Sequence, residues 1–261
     1  MKIVKKLFNI IKRPEKPKIT WWSVVDGLEK VVPILPAKEV IPDWWKRVER
    51  FTESMDPLLG KGTVKNCPSF PEFITQGFVV PLWCDLHLQI EHNSFKWNTP
   101  HRDFTFDSHS DIQFRDFLPK HVKDNSSMVL KPNCPWRVKT PPGWGLYQLP
   151  VFYEFNPVFE TMPGIIWTDI HHEINQQMLI KRYGTFTLKR GIPLATYIPY
   201  KREKYDYEIQ GPNSENAKWS NESFLHVRTK FKGGYKLHQA EVKKCPFGHK
   251  PEKTSKKRKK K

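Results

Sequence analysis

The run FVVPLWCDLHLQIEH, residues 78–92, decides how the chain folds. Trp83, Asp85, His87, Gln89 and Glu91 alternate with Leu82, Cys84, Leu86, Leu88 and Ile90. A period of two sends one set to each face of a pleated strand, which no helix does. The run reads as one strand with a mainly apolar face inward.

The same logic extends outward. In MVLKPNCPWRVKTPPGWGLYQLPVFYEF, residues 128–155, the segments VLKP, WRVKT and GWGLYQLPVFY read as strands divided by Pro/Gly turns. PGIIWTDIHHEINQQMLIK, residues 163–181, reads as a turn and a strand, and residues 184–203 as two short strands around Arg190 and Gly191. Toward the N-terminus, IPDWWKRVERF reads as a short helix with Asp43 near its start, and Trp21, Trp22, Trp44 and Trp45 read as core or interface anchors. KGTVKNCPSFPEFITQG reads as a loop and one or two helical turns ending at Gly77. Beyond about residue 203 the chain turns polar, then helical or irregular. Short strands with frequent turns predict a mainly β protein, a β-barrel or jelly-roll-like sandwich with a few short helices. The expected organisation is one β-rich domain over residues 19–240, a basic amphipathic segment over 1–18 and a disordered basic tail over 241–261.

Composition excludes other classes. Among 261 residues, 23 prolines forbid a long helical bundle, and 10 Trp with 17 Phe demand a core. No apolar run reaches the ~20 residues of a membrane-spanning helix. The formal net charge of +17 suggests nucleic acid until it is located. Residues 1–18 carry seven Lys/Arg against one Glu, and residues 243–261 carry ten against one, leaving +2 for everything between. The charge therefore belongs to the two ends. Lys256, Lys257, Arg258, Lys259, Lys260 and Lys261 close a tail that can bind nucleic acid or an anionic surface by counterion release, or simply keep the protein soluble. At the other end, Ile3, Val4, Leu7, Phe8 and Ile11 fall on one helical face with lysines opposite. Such a helix suits an anionic membrane surface, a partner's groove or the protein's own core.

Four cysteines, Cys67, Cys84, Cys134 and Cys245, without a C-x-x-C pair indicate free thiols in a reducing compartment. Cys245 and His249 form half a metal site, and zinc needs four ligands. His101 and Asp103, with distal His171 or His172, match the two-His-one-carboxylate set of a jelly-roll iron oxygenase, where Arg190 would hold the carboxylate of 2-oxoglutarate. Iron or zinc is the cofactor of that alternative; the leading reading needs none. Asp107, His109 and Asp111 would share one strand face as a metal or acid–base cluster, against the plainer reading of a hydrogen-bonded turn. A P-loop and a nucleophile elbow are absent from the sequence.

Residues 135–150, 163–174 and 185–203, with WWSV at 21–24 and FKGGYK at 231–236, resemble an uncharacterised protein family of tailed, notably marine, phages and some bacteria. That resemblance implies a phage-encoded accessory or binding protein acting in the cytoplasm of an infected host cell or in the virion. More distantly, residues 164–174 and 191–198 are similar to the dUTPase and dCTP-deaminase barrel. That resemblance implies a nucleotide cleft near the first of these segments, formed between subunits of a homo-oligomer. Trp167 stands where that family has its essential Asp, and Ile170 where its sugar-stacking Tyr would be. An indole accepts no hydrogen bond and cannot orient a water, so a shared barrel would bind nucleotide without hydrolysing it.

Overall fold

The computed structural model describes residues 16–51, 62–67, 69–92 and 94–228. Two compact units divide the chain, Met1–Glu203 and Lys204–Lys261, so the expected domain over 19–240 draws on both. The first unit is mainly β. Its strands are β1 (Thr20–Ser23), β2 (Leu35–Pro36), β3 (Phe78–Pro81), β4 (Leu86–Ile90), β5 (Phe95–Asn98), β6 (Phe106–His109) and β7 (Met128–Lys139). They continue with β8 (Trp144–Leu149), β9 (Phe159–Thr161), β10 (Gly164–Ile166), β11 (Glu173–Asn175), β12 (Met178–Ile180), β13 (Gly184–Leu188) and β14 (Pro193–Lys201). Helices are short: α1 (Leu28–Val31), α2 (Asp43–Arg47), α3 (Ser69–Ile74) and α4 (Lys120–Lys123). In the second unit, residues 204–213 carry no regular structure and α5 (Ser214–Arg228) follows.

All strand pairing is antiparallel, in three sheets: β1-β7-β12-β9 with β6 and β11 also on β7, β10-β8-β14-β3-β2, and β13-β4-β5. The arrangement is sandwich-like, and among the described residues no sheet closes into a barrel. One apolar cluster fills it, drawing Leu88 and Ile90 from β4, Leu130 and Val138 from β7, Leu146 from β8 and Tyr197 from β14.

The alternation read in residues 78–92 holds in β4, where Leu86, Leu88 and Ile90 are buried and His87 and Gln89 exposed. The single expected strand is nevertheless two. β3 pairs with β14 and β4 with β13, so the chain changes sheets at residues 82–85. The partner run changes sheets at the same level: Leu82 N–H donates to Ile192 O and Gly191 N–H to Leu82 O, both at 2.8 Å. Two adjacent strands thus bend together at one corner of the sandwich, which local periodicity does not reveal.

A second difference runs the other way. The segments read as VLKP and WRVKT are one twelve-residue strand, β7, passing through Pro132 and Pro135. Along this part of β7 its neighbours hand over. β12 pairs only as far as Leu130 and β6 only as far as Pro132, while β1 begins at Trp136. A proline lacks a donor, and costs a strand little where ladder bonds are changing hands.

Gly77 has φ at +77° in the turn that leads into β3, three residues beyond the end of α3 at Ile74, so it turns the chain without capping the helix. A Cβ there would stand 2.2 Å from the carbonyl oxygen of Tyr197, so glycine is required for contact as well as for φ.

Candidate functional site

Three of the hollows among the described residues bear on the candidate sites. The first, about 480 Å³, is lined by Trp83, Asp85, His87, Asn98, Thr99, Pro100, Phe104 and Arg190 among others. Asp85 accepts from the Arg190 backbone N–H at 2.8 Å and from Lys189 Nζ at 3.1 Å. Those bonds hold its carboxyl below the ordinary range, the Arg190 N–H contributing most. Asp85 is thereby spent on pinning the turn between β13 and β14. His87 Nδ1 is 2.8 Å from Thr187 Oγ1, a cross-strand bond.

His101 and Asp103 lie in the turn after β5, with Nδ1 and Oδ2 3.5 Å apart. Arg190 lines the hollow together with Pro100 and Phe104, which flank that pair, so the structure brings Arg190 to the His101 segment. His171 and His172 sit instead in the turn between β10 and β11. His172 Nδ1–H donates to Thr168 O at 3.1 Å and its ring meets Trp22 edge-on at 5.6 Å. Among the described residues no group of three or more His, Cys, Asp or Glu gathers around a common point. The proposed metal set of His101, Asp103 and a distal histidine is therefore not assembled, because its members belong to different turns. The Asp107, His109 and Asp111 cluster also separates. Asp107 and His109 are on β6, and Asp111 lies in a 3₁₀ turn capped by Ser110 and Gln113, its carboxylate 3.0 Å from Arg115.

Cys84 and Cys134 are buried free thiols, and burial pushes both up to about 12. Neither is set up as a nucleophile or a ligand, since both chemistries need the thiolate.

The second hollow, about 350 Å³, lies at the turn similar to the dUTPase segment. Gly164, Ile165, Ile166, Trp167 and His171 line it with the amides of Gln148, Asn175 and Gln177. Gln148 is committed at both ends, accepting from the Tyr197 hydroxyl at 2.9 Å and donating to Met162 O at 3.0 Å. Trp167 is 55% exposed, and the Arg202 guanidinium lies 4.8 Å over its ring while pairing with Asp169.

The third hollow, about 340 Å³, is aromatic: Phe73, Phe152, Tyr153, Phe155 and Phe159 line it with Glu154, Glu160 and Lys181. The expected strand GWGLYQLPVFY runs on through Pro150 to Tyr153. Strand β8 instead stops at Leu149, and Tyr153 and Phe155 take left-handed φ values of 58° and 51°. Each costs about 1–2 kcal/mol in a residue with a Cβ. Packing holds the strained loop. Trp44 Nε1–H donates to Tyr153 O at 2.7 Å, Phe70 stacks on Tyr153 at 5.4 Å and Phe73 on Phe152 at 3.9 Å. Burial raises the Glu154 carboxyl above its ordinary range, with the nearby charge of Asp43 adding to it. The sequence signal for this hollow is four aromatics in eight residues, FYEFNPVF, without alternation.

Lys256–Lys261 by number, and the apolar set Ile3, Val4, Leu7, Phe8 and Ile11, lie outside the described residues, as do Cys245 and His249. Among the described residues no helix is long and apolar enough to cross a membrane. Comparison of the chain with protein-family models, with curated proteins and with solved structures finds no match in any of the three.

Proposed function

We propose that this is a non-enzymatic binding protein whose basic ends contact nucleic acid while a near-neutral β-sandwich serves as the folded body. The observation that carries this reading is the partition of charge, +15 of the +17 lying in the two terminal segments. A run of six basic residues without an apolar neighbour binds phosphates through counterion release and reads no base sequence. With the resemblance to tailed-phage proteins, the reading has the protein acting as a phage accessory factor in an infected cell's cytoplasm or in the virion. Deleting residues 250–261 is expected to weaken duplex DNA or RNA binding at least about tenfold near 50 mM salt, measured by fluorescence anisotropy. Unchanged affinity would sink the proposal.

A second reading, nucleotide binding without hydrolysis, is favoured by the hollow at Gly164–Ile166 and its amide lining. Calorimetry with dUTP and dCTP is expected to give a binding heat but no hydrolysis under this reading. Absence of heat at millimolar nucleotide disposes of it.

A further inference from the structure

We infer that the aromatic hollow between Phe73, Phe152 and Phe155 is a binding site for an alkylated ammonium cation, with Glu154 as its counter-charge. The rings come first. Five aromatic side chains line a space of about 340 Å³, and the face of an aromatic ring attracts a cation. That volume admits a small organic cation.

Charge balance comes second. Lys181, the basic residue of the lining, is 3.8 Å from Glu160, which lines the hollow too and answers its charge. The remaining polar liners are committed: Asn156 Oδ1 accepts from the backbone N–H of Val158 and Phe159, and Thr161 donates to Leu194 O. The Glu154 side chain is left half-buried, its carboxylate with no hydrogen bond or ion pair among the described residues. The hollow therefore carries one unanswered negative charge amid aromatic surface. Asp43 lies near enough to add to the field, its own carboxylate paired with Lys46 at 2.8 Å.

Backbone strain comes third. Tyr153 and Phe155 flank Glu154 with positive φ, and the loop is locked from behind by Trp44, whose ring lies 6.3 Å from Tyr153 and 5.9 Å from Phe155. Strain of this kind persists where packing over-determines it, and it concentrates at ligand clamps. The conformation leaves Phe155 73% exposed, a large apolar ring that the free protein does not bury.

The site is tested on the full chain with choline, as a free small cation, and with N-acetyl-trimethyllysine amide, as a side-chain cation. 3,3-Dimethylbutan-1-ol is the neutral partner of choline's shape. Titration followed by NMR or calorimetry is expected to show binding of at least one cation and at least about tenfold weaker binding of the alcohol. Glu154→Gln should weaken cation binding about tenfold or more, and Phe155→Leu should weaken it while leaving the alcohol unaffected. Burial disfavours the Glu154 carboxylate and no side-chain bond is lost with it, so Glu154→Gln should not lower the melting temperature at neutral pH, and lost binding is not lost fold. The inference is overturned if neither cation binds, if the alcohol binds as well as choline, or if a folded Glu154→Gln protein keeps its affinity.

Discussion

Replacing Trp83 by Ala should destabilise the β unit by about 3–5 kcal/mol, the range for truncating a buried aromatic. Trp83 is 1% exposed, at the residues where the chain passes from β3 to β4, and its ring stacks on Phe106 at 6.0 Å with 12° between planes. It touches the point where two sheets share one core, so the void cannot be closed by moving one strand alone. The indole Nε1 has no hydrogen-bond partner among the described residues, so the loss is packing and buried area. For a domain of this size, that loss corresponds to roughly 10 °C in melting temperature. Trp83→Phe, which keeps a ring against Phe106, should cost less than half as much. Urea denaturation of both variants checks the order, and a loss below about 1 kcal/mol for Trp83→Ala would show that the corner of the sandwich is not packed as described.

Gly77→Ala should be comparably damaging, for a different reason. The new Cβ would stand 2.2 Å from Tyr197 O, and Phe78 and Tyr197 are a register pair of β3 and β14. Relief requires separating those strands where their pairing begins, or leaving the +77° φ of the turn before β3. Gly27 supplies the control. Its φ is +73°, and nothing lies within 4 Å of a Cβ built there. Gly27→Ala should therefore show only the left-handed penalty of about 1 kcal/mol, and Gly77→Ala about 3 kcal/mol or more. Equal effects at the two positions would mean that the contact with Tyr197 adds nothing.

The fold class was legible because alternation is a local signal. Leu86, Leu88 and Ile90 announce an inward face whatever the strand pairs with. What the same residues cannot announce is which sheet they join, since the change between β3 and β4 is fixed by a partner a hundred residues later, at Gly191 and Ile192. Proline misled in the opposite direction. Pro132 and Pro135 read as breaks, yet β7 passes through both because its neighbours change there. The chain reversals at Gly77 and Arg190 are legible as local turns with local causes, although α3 ends at Ile74, three residues before Gly77.

The candidate sites were less legible. His101, Asp103, His171 and His172 were matched by residue type and order, and type and order do not bring separate turns together. The aromatic hollow is hidden in the sequence because its first residues, as far as Tyr153, read as the end of the strand GWGLYQLPVFY. Its distinguishing property, an unpaired carboxyl between two left-handed aromatics, belongs to backbone conformation and to the contact with Trp44. Charge was the exception: its partition between ends and middle is a matter of counting and needed no coordinates.

That partition is the central claim, and the salt dependence of DNA binding tests it most directly. The slope of log affinity against log salt should be measured for the full chain and for a chain with Lys256, Lys257, Arg258, Lys259, Lys260 and Lys261 all changed to Gln. Each phosphate contact contributes about 0.9 to the slope, so six lost charges should reduce its magnitude by up to about 5. An unchanged slope would mean that the charges meeting DNA lie elsewhere in the chain, and would contradict the account.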